Sequence, residues 1–107
     1  MIRVGPAGWS YPDWDGPVHP RPRPRGYHGL ELLAGVFDCV EINSSFYRLP
    51  RPEHCRDWLQ RTAAQPRFRF TAKLHQDFTH RREQRFGTPR ELEAGLTEFR
   101  AALAPLL

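Results

Sequence analysis

Three times along this chain a short strand-like run gives way to apolar residues at helical spacing, and that alternation restricts the fold more than any other feature. The first candidate strand is Ile2 to Gly5. A loop rich in Gly and Pro carries the chain from Gly5 past Pro24, and then Leu30, Leu33, Ala34 and Phe37 fall at i, i+3, i+4 and i+7. Cys39 to Asn43 reads as a second strand, with Val40 and Ile42 on one side and Cys39, Glu41 and Asn43 on the other. Pro52 is suited to open a second helix, on which Cys55, Trp58, Leu59 and Thr62 repeat with the same period until Gln65-Pro66 ends it. Phe68 to Leu74 alternates strictly: Phe68, Phe70, Ala72 and Leu74 face one way, Arg69, Thr71 and Lys73 the other. His75 to Gly87 reads as a polar loop. Thr88-Pro89-Arg90-Glu91 is then a capping box ahead of a helix bearing Leu92, Leu96, Phe99 and Leu103.

The order β-α-β-α-β-α predicts an α/β fold with a parallel sheet and helices packed outside it. Parallel strands covered on both faces are apolar on both faces. Here two of the three candidate strands place Glu41 and Asn43, then Arg69 and Lys73, on the side away from the apolar residues. Polar groups there suit the interior of a barrel near its C-terminal mouth better than a doubly wound sheet.

The 107 residues are room for one domain, and a 39% hydrophobic content argues against wholesale disorder. No run approaches the length of a membrane span, and the N-terminal residues contain no apolar stretch of the secretory kind. Two cysteines, Cys39 and Cys55, are too few for a disulfide framework or a zinc site, and both are read as reduced, buried small hydrophobes. A cytoplasmic location is the resulting expectation.

Several of these segments form motifs. Gly8-Trp9-Ser10-Tyr11-Pro12-Asp13-Trp14, Phe37 through Pro50 with its core Val40-Glu41-Ile42-Asn43-Ser44-Ser45-Phe46-Tyr47, Phe68 through Lys73, and Thr79-His80 together resemble the YecE-like family, catalogued as a domain of unknown function (DUF 72). The resemblance runs from residue 2 to residue 107. It implies a (β/α)8 barrel of roughly 250 residues, of which this chain supplies the N-terminal three βα units as a partial, truncated domain. One departure is visible: family members tend to carry an aromatic residue before the proline of the first loop, where this chain has His19-Pro20.

Glu41, Asn43 and Lys73 are the strongest candidate constellation. Neighbouring strands lie about 4.8 Å apart, so Glu41 and Lys73 would both point inward near the strand C-termini, as an acid/base and its charge partner with Asn43 as an orienting amide. A structural ion pair is the competing reading. Trp9, Tyr11 and Trp14 follow the first strand and would rim the same mouth, either stacking on a planar ligand or plugging the top of the barrel. Phe46 and Tyr47 follow the second strand; Tyr47 offers a hydroxyl to a ligand, and Phe46 reads as packing. His80 is a candidate proton-transfer residue or phosphate contact, against a solvated histidine. His75, Asp77 and His80 can be read as metal ligands, but their spacing matches no compact motif, so no metal site is assigned and the cofactor is left unknown.

The net charge of +4 points toward anionic partners. Arg21, Arg23 and Arg25 alternate with proline, and Arg81, Arg82 and Arg85 cluster in the third loop. The expected function is an enzyme acting on a small polar or anionic ligand, with Glu41, Lys73 and His80 as catalytic residues and Trp9, Tyr11, Trp14, Asn43 and Tyr47 as ligand contacts. The alternative is a module using the arginine-rich loops to bind nucleic acid or another polyanion. No recognition helix or RNA-binding signature supports that alternative.

Overall fold

A computed structural model describes residues 1–107. Two strands, β1 (Cys39–Ile42) and β2 (Arg69–Ala72), pair in parallel with Val40 opposite Phe70 and Glu41 opposite Thr71. Backbone bonds extend this pairing at both ends: Arg69 N–H donates to Asp38 O at 3.0 Å and Lys73 N–H to Ile42 O at 3.0 Å. Around the sheet lie α1 (Gly29–Ala34), α2 (Pro52–Arg61), α3 (Arg82–Arg85) and α4 (Pro89–Leu103). The result is a mixed α/β arrangement with a small parallel sheet, as the alternating periods predict. No helix is long and apolar enough to cross a membrane.

The first expected strand takes a different form. Residues 4–8 do run parallel to β1: Asp38 N–H donates to Val4 O, Glu41 N–H to Pro6 O and Gly8 N–H to Glu41 O, at 2.9, 3.0 and 2.8 Å. Only one bridge results, between Ala7 and Glu41. The reason is chemical. A regular parallel ladder would next ask Pro6 for an N–H, and proline has none. The paired segment therefore lies at residues 4–8 rather than 2–5, and Ile2 and Val4 stay exposed. The segment also approaches β1 closely, since a Cβ on Gly5 would sit 1.7 Å from Cys39 O.

The core forms between the apolar face of the sheet and three helices. Leu30, Ala34, Val40, Ile42, Cys55, Trp58, Phe68 and Leu103 are buried together, with Trp9, Phe70, Ala72 and Phe99 packed against them. Two helix starts carry side-chain caps: His28 Nδ1 accepts Leu30 N–H at α1, and Thr88 and Glu91 complete a reciprocal capping box at α4, while α2 opens on Pro52 without a side-chain cap. Thr62 closes α2 by donating its hydroxyl to Trp58 O at 3.0 Å.

Three other expectations change. The strand over 68–74 is shorter than its alternation, because β1 runs only from Cys39 to Ile42 before Asn43 turns into helical geometry, so the ladder covers Arg69–Ala72. The polar loop 75–87 contains a 3-10 turn, Gln76–Phe78, and the single-turn helix α3. Cys55 is buried, donates to Ala102 O at 3.5 Å, and burial pushes its thiol up; Cys39, on the polar side of β1, is only half-buried.

Candidate functional site

The connections that follow residues 4–8, β1 and β2 leave from the same end of the sheet, because the three segments are parallel. That end is built around two residues of the second connection. Ser45 is fully buried, and its hydroxyl faces two carbonyls, Ile42 O at 2.9 Å and Lys73 O at 2.5 Å. It thereby ties the end of β1 to the end of β2. Phe46 lies next to it. The Lys73 ammonium stands 5.4 Å from its ring centroid, while the His80 and Tyr47 rings meet it edge-on at 5.3 and 5.0 Å. Phe46 is thus the common support of Lys73, His80 and Tyr47, a role beyond the simple packing its sequence suggests.

Lys73 Nζ donates to Asn43 Oδ1 at 3.4 Å. The register explains why Asn43, rather than Glu41, is its neighbour: Glu41 sits opposite Thr71, two residues before Lys73. Glu41 is half-buried on the same side of the sheet and forms no ion pair with Lys73. The Thr79 hydroxyl lies 2.9 Å from His80 Nδ1, which fixes the ring and leaves Nε2 without a protein partner.

The loop after residues 4–8 divides its aromatic residues. Trp9 turns inward and meets Trp58 edge-on at 5.1 Å, while its outer part lines an open cleft of about 300 Å³ with Tyr11, Asn43 and Ser44. Trp14 lies outside that cleft and packs on Tyr11 and His19, with ring centroids 4.8 and 6.0 Å away. Trp9 and Tyr11 therefore reach the same end as Asn43, and Trp14 supports the loop.

His19 is the residue that sequence reading undervalued. It is fully buried, with Nε2 2.8 Å from Trp9 O and Nδ1 2.5 Å from the Tyr27 hydroxyl. A carbonyl can only accept, so Nε2 carries the proton. A Cβ on Gly29 would stand 2.7 Å from both the His19 ring and Trp9 O, so glycine is what lets α1 start there. The signal was the unusual His19-Pro20 pair. His19→Phe keeps the ring contacts but orphans Trp9 O and Tyr27, for a cost of about 1–3 kcal/mol. A thermal melt followed by circular dichroism checks this. An unchanged midpoint would mean that only the ring matters.

His75 and Asp77 are committed elsewhere. His75 Nε2 donates to Tyr47 O at 3.2 Å and its Nδ1 accepts Asp77 N–H at 3.1 Å. The Asp77 carboxylate pairs with Arg81 at 3.0 Å and Arg85 at 3.3 Å. Arg23 is likewise held by Asp15, at 2.6 Å, and by the Ser10 hydroxyl.

The family of "Protein of unknown function DUF72" matches residues 3–107 of this chain. The "UPF0759 protein YecE" of Escherichia coli strain K12 is 33% identical over 106 residues, which cover 99% of this chain and 34% of that protein. The protein of the same name from Escherichia coli O157:H7 gives the same figures. This chain spans about a third of the length of these relatives. No solved structure matches it.

Proposed function

Because the chain belongs to the DUF72 family of proteins of unknown function, we propose that residues 1–107 are the first three βα units of a (β/α)8 barrel, and that the whole protein is a cytoplasmic enzyme acting on a small polar or anionic ligand at the C-terminal mouth. One observation carries this reading: three parallel segments deliver Asn43, Lys73 and the Trp9–Tyr11 cleft to a single end of the sheet. That is the end at which barrel enzymes hold their chemistry.

The roles follow from the chemistry of each group. Lys73 and Asn43 present an ammonium and an amide to carboxylate or phosphate oxygens. Glu41, half-buried beside them, serves as the acid/base. His80, held through Nδ1, offers Nε2 for proton transfer, and Trp9, Tyr11 and Tyr47 wall the ligand. A polyanion-binding module draws less support, because Arg23, Arg81 and Arg85 are each held by a carboxylate.

The test uses the full-length gene product, titrated with acetate and inorganic phosphate and assayed against a panel of small phosphorylated and carboxylated compounds. Lys73→Met is expected to weaken the anion that occupies the mouth by roughly tenfold or more. Glu41→Gln is expected to leave binding intact and lower turnover by about 10²–10⁴. Turnover unchanged in Glu41→Gln, or anions bound as tightly by Lys73→Met, would remove the enzyme reading.

A further inference from the structure

A second cleft, of about 640 Å³, lies beyond Ser44 and is walled by Arg48, Arg51, His54, Leu49 and Trp58. None of Glu41, Lys73 and His80 lines it. Its charge is of one sign, for no carboxylate is among its lining residues. The ion pairs of the chain lie elsewhere: Arg23 with Asp15, Arg61 with Glu31 and Asp57, and Arg81 and Arg85 with Asp77. Arg48 and Arg51 are left with uncommitted guanidinium groups three residues apart, and His54 follows three residues later. Glu53, also in the first turn of α2, does not line the cleft.

We infer that this cleft is a separate binding site for a phosphomonoester, with Arg48, Arg51 and His54 receiving the phosphate and Leu49 and Trp58 receiving the organic body. Arginine forks match phosphate oxygens in pairs, which a single surface lysine does not. The volume is far more than one inorganic anion fills and lies within the range of small-molecule pockets. The indole of Trp58 and the Leu49 side chain supply an apolar wall beside the cations. That pairing of apolar wall and forked donors is what distinguishes the cleft from a solvated basic surface. The inference goes beyond the mouth reading and depends on different residues.

Isothermal titration calorimetry of the full-length protein tests it, with inorganic phosphate and phenyl phosphate as probes and sodium chloride at matched ionic strength as reference. Both probes are expected to bind, phenyl phosphate more tightly because of its ring. Arg48→Ser and Arg51→Ser are each expected to weaken both probes about tenfold. Arg56→Ser, on an exposed part of α2 outside the cleft, is expected to leave this binding unchanged, and Lys73→Met is expected to weaken only the separate anion site at the mouth, leaving intact the binding that Arg48→Ser and Arg51→Ser weaken. Circular dichroism verifies that every variant is folded. No binding of either probe overturns the inference. So does equal weakening by Arg56→Ser, which would mark diffuse electrostatics. Weakening by Lys73→Met alone also overturns it and assigns the anion to the mouth instead.

Discussion

Gly5→Ala is expected to strip the N-terminal segment from β1 and destabilise the protein by about 3–5 kcal/mol, a large share of the roughly 5–15 kcal/mol that holds a domain together. The added Cβ would lie 1.7 Å from Cys39 O and 3.1 Å from Cys39 Sγ. The nearer atom belongs to the backbone of a paired strand, so no side-chain rotation relieves the overlap. Separation of the two segments is the remaining route. It would break the bonds from Asp38 N–H to Val4 O, Glu41 N–H to Pro6 O and Gly8 N–H to Glu41 O. It would also pull Trp9 off Trp58 and open the cleft that Trp9 shares with Asn43. A control isolates the cause. Gly35 has φ −77° and its nearest foreign atom would be 3.4 Å from a new Cβ, so Gly35→Ala is expected to be neutral or to stabilise by about 0.4–1 kcal/mol. Denaturant melts of the two variants of the full-length protein should move in opposite directions or differ by most of the Gly5 effect. A Gly5→Ala protein as stable as the parent would show that residues 4–8 do not lie against β1.

Gly5 also shows where sequence reading stops. Period-2 and period-3.6 patterns are local, so Cys39–Ile42, Pro52–Arg61 and the capping box at Thr88 were legible from the residues themselves. So was the shared side of Glu41 and Thr71, because alternation fixes the face once the pairing is parallel. What alternation does not carry is register. The exchange of Glu41 for Asn43 as the neighbour of Lys73 is a two-residue offset, invisible until β1 and β2 are aligned. Hydrogen-bond supply is a second blind spot. Ile2–Gly5 has a strand-like composition, yet Pro6 withholds the N–H that a regular ladder needs there. Buried polar residues are the third. His19 and Ser45 look like loop residues in sequence, and their roles rest on carbonyls 10 and 28 positions away and on a hydroxyl 8 positions away, brought near by the fold. The candidate site was therefore legible as a set of residue types near one end of a sheet. Phe46, Ser45 and His19, which hold that set in place, emerged only with the packing.

A polypeptide confined to residues 1–107 is expected to be marginal, molten or self-associating, and inactive. The surface shows why. A compact monomer of this mass, 12.5 kDa, exposes about 6,200 Å², whereas these residues expose 7834 Å². The radius of gyration is 15.8 Å, against about 13 Å for a closed domain of this length. Only 13 of 107 residues are buried, so the apolar area removed from water has little margin over the chain entropy it must offset. The unsatisfied parts are identifiable. Ile2 and Val4 are 88% and 60% exposed on the N-terminal edge. β2 has a strand on one side only, so its other edge offers free backbone donors and acceptors to any chain that meets it. Arg69, Thr71 and Lys73 face outward with no opposing wall. A barrel needs its full ring of strands to pair every edge, and three parallel segments leave two edges open. The check is to express residues 1–107 alone, follow a urea melt by circular dichroism, and run size-exclusion chromatography over a range of concentrations. A shallow transition, or an elution volume that shifts with concentration, is the expected result. A sharp cooperative melt from a concentration-independent monomer would mean that α1, α2 and α4 cover enough of one sheet face to make these residues a self-sufficient domain, and the barrel reading of the mouth would lose its physical basis.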